Sequence, residues 1–257
     1  MLGLLLTLLI AATGGVPTSC VGCDMSGMDL HGKDLRGVAW AGSDLRNANL
    51  RGANLAGAHL AGIDLRDADL RDANLSNAML AGVRLRGAHL DGARLDGIRI
   101  AGGDLSGSYL QGLRDDQARA LLAHCAGCKI TNVDLHGKNL AGVEVVGSDF
   151  NDSNLSGASL QNARLVADDF NDANLRNVNF QGAALCAHDD SVDDDGTTRY
   201  GRLHCSDFSG ADLHGANFRG AQICDYAGRG QARRCTALDA ATLRNLGHAN
   251  LDGAEGP

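Results

Sequence analysis

A large apolar residue returns at every fifth position, and that period excludes most folds at once. The first run goes from Leu30 to Leu110, with Trp40 and Ile100 as its only non-leucine members. A second run goes from Ile130 to Leu185 and takes in Val145, Phe150, Phe170 and Phe180. A third, in a new phase, is Phe208, Leu213, Phe218 and Ile223, which brings the total to 33 centres. A period of five fits neither a helix at 3.6 residues per turn nor a strand at 2. It fits a chain that turns a corner every five residues.

The residues around each centre say how the corner is made. Two positions before it sits a small residue, such as Ala48, Ala53, Ala68 or Ala73. Two positions after it sits Gly, Asn or Asp, such as Gly52, Asp67 or Asn77, the types that tolerate tight turns. The centre and the small residue therefore point inward, and the residues beside them face solvent. Four sides make a coil of about twenty residues, and stacked coils pair like strands at ~4.8 Å. The 33 centres give about eight coils, a rod on the order of 40 Å long. The ladder of apolar side chains makes stability nearly additive from coil to coil, and the end coils need caps.

The stretch "ADLRDANLSNAML" and its neighbours resemble the pentapeptide-repeat family, whose motif is A(D/N)LXX. The likeness extends over roughly two thirds of the chain. It implies an all-β fold, the right-handed quadrilateral β-helix; the handedness comes from the resemblance alone.

The chain also repeats itself on a larger scale. "CVGCDMSGMDLHGKDLRGV" opens the first run and "CAGCKITNVDLHGKNLAGV" the second, so Cys20 and Cys23 map onto Cys125 and Cys128. Two modules are expected, each starting with a Cys-stapled cap. Between them "LRDDQARALLAHC" reads as a short helix, with Leu113, Ala120 and Leu121 or Leu122 on one face and Asp115 and Asp116 in its first turn. "ALDAATLRNL" near the C-terminus reads as a similar cap. The expected organisation is a signal peptide over 1–19, a first repeat module over 20–112 and a helical connector with its cap over 113–128. A second module follows over 129–223, with an insertion at 186–205, and then a C-terminal cap over 224–257.

The amino-terminal "MLGLLLTLLIAATGGVPTS" has the apolar run and small-residue zone of a secretory signal, though no Lys or Arg precedes the run. It is shorter than the ~20 residues of a membrane span, so no stable membrane insertion is expected after cleavage. A buried cap segment is the other reading. Export to the periplasm or the exterior agrees with an even count of eight cysteines, read as four disulfides. The simplest pairing is local: Cys20–Cys23, Cys125–Cys128, Cys186–Cys205 and Cys224–Cys235, although the sequence admits others. Lipid attachment at Cys20 is an alternative, but Pro17 stands where such signals carry Leu, and an odd seven cysteines would remain. Two Cys-x-x-Cys pairs, with His124 nearby, could also hold zinc, but 105 residues separate them. No βαβ context supports a redox motif, and neither Asp24 nor Lys129 is the His that haem attachment needs.

Residues twenty apart stack. Arg46, Arg66 and Arg86 form a column that could hold an anion, but Asp44, Asp64 and Asp104 sit two residues back on the same face, around Arg84. His89 falls between Asp69 and Tyr109, a surface hydrogen-bond ladder rather than a catalytic group, and Phe150 and Phe170 stack as core. The segment "CAHDDSVDDDGTTRYGRLHC" interrupts the repeat and carries Asp189, Asp190, Asp193, Asp194 and Asp195. Insertions in repeat proteins often do the binding. Asp193 and Asp195, with Gly196, fit part of a twelve-residue calcium loop, whereas Ser191 and Arg202 stand at its first and last positions. The expected reading is a solvated disulfide-closed loop with no cofactor; calcium at Asp193 and Asp195 is the alternative.

A net charge of −8 disfavours a nucleic-acid binder. No nucleophile–base pair, phosphate loop or ligand cluster marks an enzyme, and a filled β-helix has no internal pocket. Thr131 is the only threonine in the repeat runs, which argues against an ice-binding face. The expected function is an exported, non-enzymatic structural or protein-binding scaffold for a protein partner that the sequence does not identify. An exposed end coil could also form a homodimer. The resemblance implies a second possibility, a cytosolic DNA mimic that binds and inhibits DNA gyrase. Against it, residues 24–112 hold 11 Asp, no Glu and 10 Lys plus Arg, a balance of −1.

Overall fold

The computed structural model describes residues 15–123, 125–192, 198–227, 231–239, 241–242 and 254–256. The apolar run Leu2–Ala12, His124, the loop tip with Asp193 and Asp195, and half of "ALDAATLRNL" lie outside these residues. The protein is a β-solenoid of about eight turns interrupted by a short helix. It divides into two compact units, Met1–Asp134 and Leu135–Pro257.

In the first unit one side of each coil is a three-residue strand: β1 (Ser19–Val21), β2 (Ala39–Ala41), β3 (His59–Ala61), β4 (Met79–Ala81) and β5 (Arg99–Ala101). They form a parallel sheet in chain order, each residue pairing with the one twenty positions on, as Ala39 does with His59. The other sides are single bridges in the same register, such as Asp24 with Asp44 and Asp44 with Asp64. Inside, Leu45, Leu50, Leu55 and Leu60 are at most 1% exposed, and the small residues Ala48, Ala53 and Ala58 are fully covered. Each such leucine contributes about 1.5–3 kcal/mol by leaving water.

The corners are β-turns. The N–H of Ala53 donates to the Leu50 carbonyl at 2.9 Å, and Gly52, third in that turn, has φ +65°. A positive φ at the third position is what a type II turn demands. Asn47, Asp67, Asp72 and Asn77 take the same slot with φ near +57° to +59°. One residue breaks the pattern: Ala167 holds the slot at φ +57° with neither glycine's freedom nor an Asx side chain. Replacing it, Ala167→Gly, is expected to stabilise the second unit by about 1 kcal/mol, because the left-handed conformation costs alanine that much. Urea unfolding checks this, and an unchanged or lower midpoint would mean the corner carries no strain.

Two insertions alter the register. The helix α1 (Asp115–Leu122) occupies part of the fifth coil, so Asp104 pairs with Lys129, 25 positions on instead of 20. The extra length equals one period, which is why the second run keeps the phase of the first. Ala118, Leu121 and Leu122 bury against the core, while Ala120 is only half-buried. Gln117 turns inward in its place, because its Nε2 donates to the Ala93 carbonyl at 2.5 Å and meets a backbone acceptor that the helix leaves unpaired. Its Oε1 accepts the Arg114 N–H at 2.8 Å, which caps the helix start. The segment Cys125–Cys128 stacks within this first unit, with Ala126 beside Ala101.

In the second unit β6 (Glu144–Val146), β7 (Arg164–Val166), β8 (Ala184–Val192) and β10 (Gln222–Ala227) form the parallel side, with β11 (Gln231–Ala237) antiparallel to β10 at the edge. β8 runs on past the corner and returns as β9 (Thr198–Cys205), an antiparallel hairpin. The detour makes Asp207 the partner of Asp169 across 38 positions, so it adds 18 to the twenty-residue coil and resets the phase of the third run. Phe150, Phe170 and Phe208 stack down the core at 4.9 and 5.1 Å between ring centres. Phe180 and Phe218 make a second stack at 4.9 Å.

Candidate functional site

With both cores filled by side chains, the chemistry of the chain lies on the outward residues either side of each centre. In the first unit these repeat as Asp–Leu–Arg. The Arg46 guanidinium donates to both oxygens of Asp44, with Nη2–Oδ2 at 2.6 Å, and the Arg46 backbone N–H donates to Oδ1 at 3.0 Å. Arg66 on Asp64, Arg71 on Asp69 and Arg36 on Asp34 repeat the fork. The geometry is local: an aspartate before the centre caps the turn, and an arginine after the centre reaches back over the leucine between them. Those guanidinium hydrogen bonds hold the carboxyls of Asp34, Asp44, Asp64 and Asp69 below the ordinary carboxylate range. Arg36, Arg46, Arg66 and Arg71 are thus engaged within their own coils, and of the expected column Arg46, Arg66 and Arg86 the first two are held by such forks, whereas Arg86 has Arg84, not an aspartate, two residues before it.

Between coils the outward residues form ladders. Asn49 Nδ2 donates to Asp29 at 3.0 Å, and Asn74 Nδ2 to Asn54 at 3.1 Å. His89 lies between Asp69 and Tyr109, as its spacing predicts, and its ring stacks on Tyr109 with 4.2 Å between centres. The second unit repeats the scheme with Asn174 on Asn154 and Asn217 on Asn179. Among the described residues, no group of three or more His, Cys, Asp or Glu converges as a metal site. No helix of the described residues is long and apolar enough to cross a membrane.

Cystines mark the special positions. Cys20 bonds to Cys23, Cys125 to Cys128, Cys186 to Cys205 and Cys224 to Cys235. The last two join facing residues of β8 with β9 and of β10 with β11, so each hairpin is clamped where it leaves its coil. β8 and β10 pair in parallel beside these clamps, with Ala187 opposite Cys224.

The family of the chain follows from its likeness to family models. The one described as pentapeptide repeats matches in eight copies, over residues 18–55, 29–67, 48–87, 68–107, 122–157, 139–167, 153–187 and 201–225. The chain belongs to the pentapeptide-repeat family. Similar solved structures include HetL, a pentapeptide repeat protein of the cyanobacterium Nostoc involved in heterocyst differentiation regulation. HetL is 21% identical, with 97% of this chain and 92% of that one covered and a TM-score of 0.30. QnrB1, a plasmid-mediated fluoroquinolone resistance protein, is 18% identical over 80% of this chain and 91% of its own, with a TM-score of 0.45. A pentapeptide repeat protein of the Arabidopsis thaliana thylakoid lumen is 35% identical over 43% of this chain and 78% of its own, with a TM-score of 0.21. No curated protein matches.

One buried group of this pentapeptide-repeat protein escapes a reading of the repeat as solvated surface. Asp168 and Asp169 look alike as neighbours in the chain, but Asp168 occupies the inward slot two residues before Phe170 and is 1% exposed. The signal was its position relative to the centre.

Proposed function

We propose that this pentapeptide-repeat protein is an exported, non-enzymatic scaffold that acts by presenting its rigid faces to a protein partner. The observation that carries the reading is the state of the cysteines: all eight are joined in four cystines, with no free thiol among them. Such a set is maintained in oxidising compartments and not in a reducing cytosol. The family's fold is consistent with protein binding without catalysis, since its interior is packed and its outward residues are tied into forks and ladders. The partner reads those ladders, and their twenty-residue repeat gives a binding surface with regular spacing.

The alternative of a cytosolic DNA mimic requires a face of uncompensated negative charge. In the first unit the forks on Asp34, Asp44, Asp64 and Asp69 set a guanidinium beside each carboxylate on three sides of the coil, so the carboxylates there are neutralised where mimicry needs charge.

Compartment fractionation of the native host tests the reading, together with a supercoiling assay on purified DNA gyrase. The chain is expected in the periplasmic or extracellular fraction, and gyrase turnover is expected to be unchanged by an excess of it. A cytosolic chain that inhibits gyrase at near-stoichiometric amounts would replace this proposal with the alternative.

A further inference from the structure

The inward slot two residues before each centre takes a small or apolar side chain almost everywhere; in the second unit Lys138 and Asp168 are its charged occupants, and of the two only Asp168 is buried. Its counterparts in the adjacent coils are Ser148 and Ser206, placed by the pairing of Asp149 with Asp169 and of Asp169 with Asp207. Ser148 is 2% exposed and Ser206 2%. The Ser148 N–H donates to Asp168 Oδ1 at 2.8 Å. The Asp168 N–H donates to Ser206 Oγ at 3.2 Å, and that hydroxyl in turn donates to the Leu165 carbonyl at 3.0 Å. Asp168 Oδ2 is buried and has no hydrogen-bond partner. A carboxylate in that position is stabilised only in part, by the Ser148 N–H and by the Arg164 charge, and burial outweighs both, whereas a neutral carboxyl leaves only a hydroxyl unpaired.

The charged groups around it do not cancel that charge. On its own coil Arg164 faces it from β7, but the Arg164 guanidinium is engaged by Glu144 of β6. Asp149, Asp169 and Asp207 stand on the outward side of the same three coils, and all carry the same sign as Asp168. Ser206 directly follows Cys205, where the β8–β9 hairpin rejoins the solenoid. The buried carboxyl therefore sits beneath the return point of the hairpin.

We propose that Asp168 is a pH-sensitive switch that tightens the second unit, and with it the base of the β8–β9 hairpin, when protonated, and loosens both when ionised. The device is independent of where the protein resides and of what it binds. Burial in the core pushes the Asp168 carboxyl up to about 7. In the unfolded chain an aspartate titrates near 4. Between those values the folded state holds a proton that the unfolded state has lost, so the folded state is favoured at the acid end and stability falls as pH rises through the window. The forked carboxylates of the first unit have the opposite sign, since their contribution is lost only as pH drops below the ordinary aspartate range.

The test is equilibrium unfolding of the full chain at intervals from pH 4.5 to 8.5, wild type against Asp168→Ser, the residue of the two neighbouring coils. The folding constant of the wild type is expected to fall by up to tenfold per pH unit across the window, on the order of a thousandfold in all. That of D168S is expected to stay flat there and to exceed the wild type at pH 8. Equal slopes in the two proteins would overturn the proposal. If D168S fails to fold, the carboxyl carbon of Asp168 in the wild type is titrated by NMR. A midpoint near neutrality supports the switch, and a midpoint at or below 4 overturns it. Hydrogen exchange at Ser206 and Asp207, corrected for the intrinsic rate, reads the hairpin base. It is expected to accelerate from pH 5 to pH 8 in the wild type only, and equal protection at both values would remove the hairpin from the proposal.

Discussion

Replacing Phe170 with alanine is expected to cost about 3–5 kcal/mol, among the largest effects of a single truncation in the second unit. Phe170 is fully buried and sits in the middle of a three-ring column, stacked on Phe150 at 4.9 Å and on Phe208 at 5.1 Å. Its loss removes two aromatic contacts and opens a void between coils. The neighbours cannot close that void, because strand pairing fixes the spacing of the coils. In a solenoid each coil is supported only by those above and below it, so the damage should stay close to its origin. Trp40, the sole tryptophan, lies buried in the first unit and gives an internal control. Under urea the circular dichroism transition of F170A should move to lower concentration, while the part reported by tryptophan fluorescence moves less. A loss below about 1 kcal/mol would mean that the ring column is not the core of this unit.

Removing the cystine between Cys186 and Cys205, by changing both residues to serine, is expected to cost about 3 kcal/mol. The bond closes a separation of 19 residues, and the chain-entropy account of cross-links gives that figure for a loop of this length. Cys186 is also fully buried at the point where β8 leaves the coil, so the hydroxyls would replace an apolar link in the core. The same exchange at Cys20 and Cys23, whose separation is 3, is expected to cost about half as much, since a short loop restricts the unfolded chain less. Thermal unfolding of the two variants side by side checks the order. A larger loss from the short pair would show that the cystines act through native packing and not through the unfolded chain.

The period of five makes the interior legible in the amino-acid sequence itself. It places Leu45, Leu50 and Leu55 inside, the small residues beside them, and Gly, Asn or Asp at the corners. The twenty-residue rule then places His89 against Tyr109 and Phe150 against Phe170. It fails where the chain changes the length of a coil. α1 adds one period between Asp104 and Lys129, which leaves the apolar phase intact and hides the shift from a count in fives. The hairpin adds 18 residues before Asp207, which the phase change does announce. Helix faces are less legible. Gln117 buries in place of Ala120 because an open backbone acceptor at Ala93 outweighs apolar periodicity.

The outward chemistry is only half legible. Columns of Asp and Arg can be read from spacing, but spacing does not show that Arg36, Arg46, Arg66 and Arg71 fold back on the aspartate two residues before them within their own coils, while Arg51 and Arg176 reach aspartates of other coils. Asp168 is hidden for a different reason. An aspartate next to another aspartate on a solvated repeat looks like surface, and only its distance from Phe170 marks it as inward. Ala167, one residue earlier, breaks the corner rule, and no neighbouring residue announces it. Local patterning decides which side a residue faces, while its partners depend on coil lengths set elsewhere in the chain.

The central claim is an exported chain whose eight cysteines are all oxidised. The most direct measurement is the intact mass of the protein recovered from its native host, before and after thiol alkylation under denaturing conditions. The account predicts a chain shortened near residues 15–19 that takes up no alkylating agent. A full-length chain that gains eight adducts would contradict it.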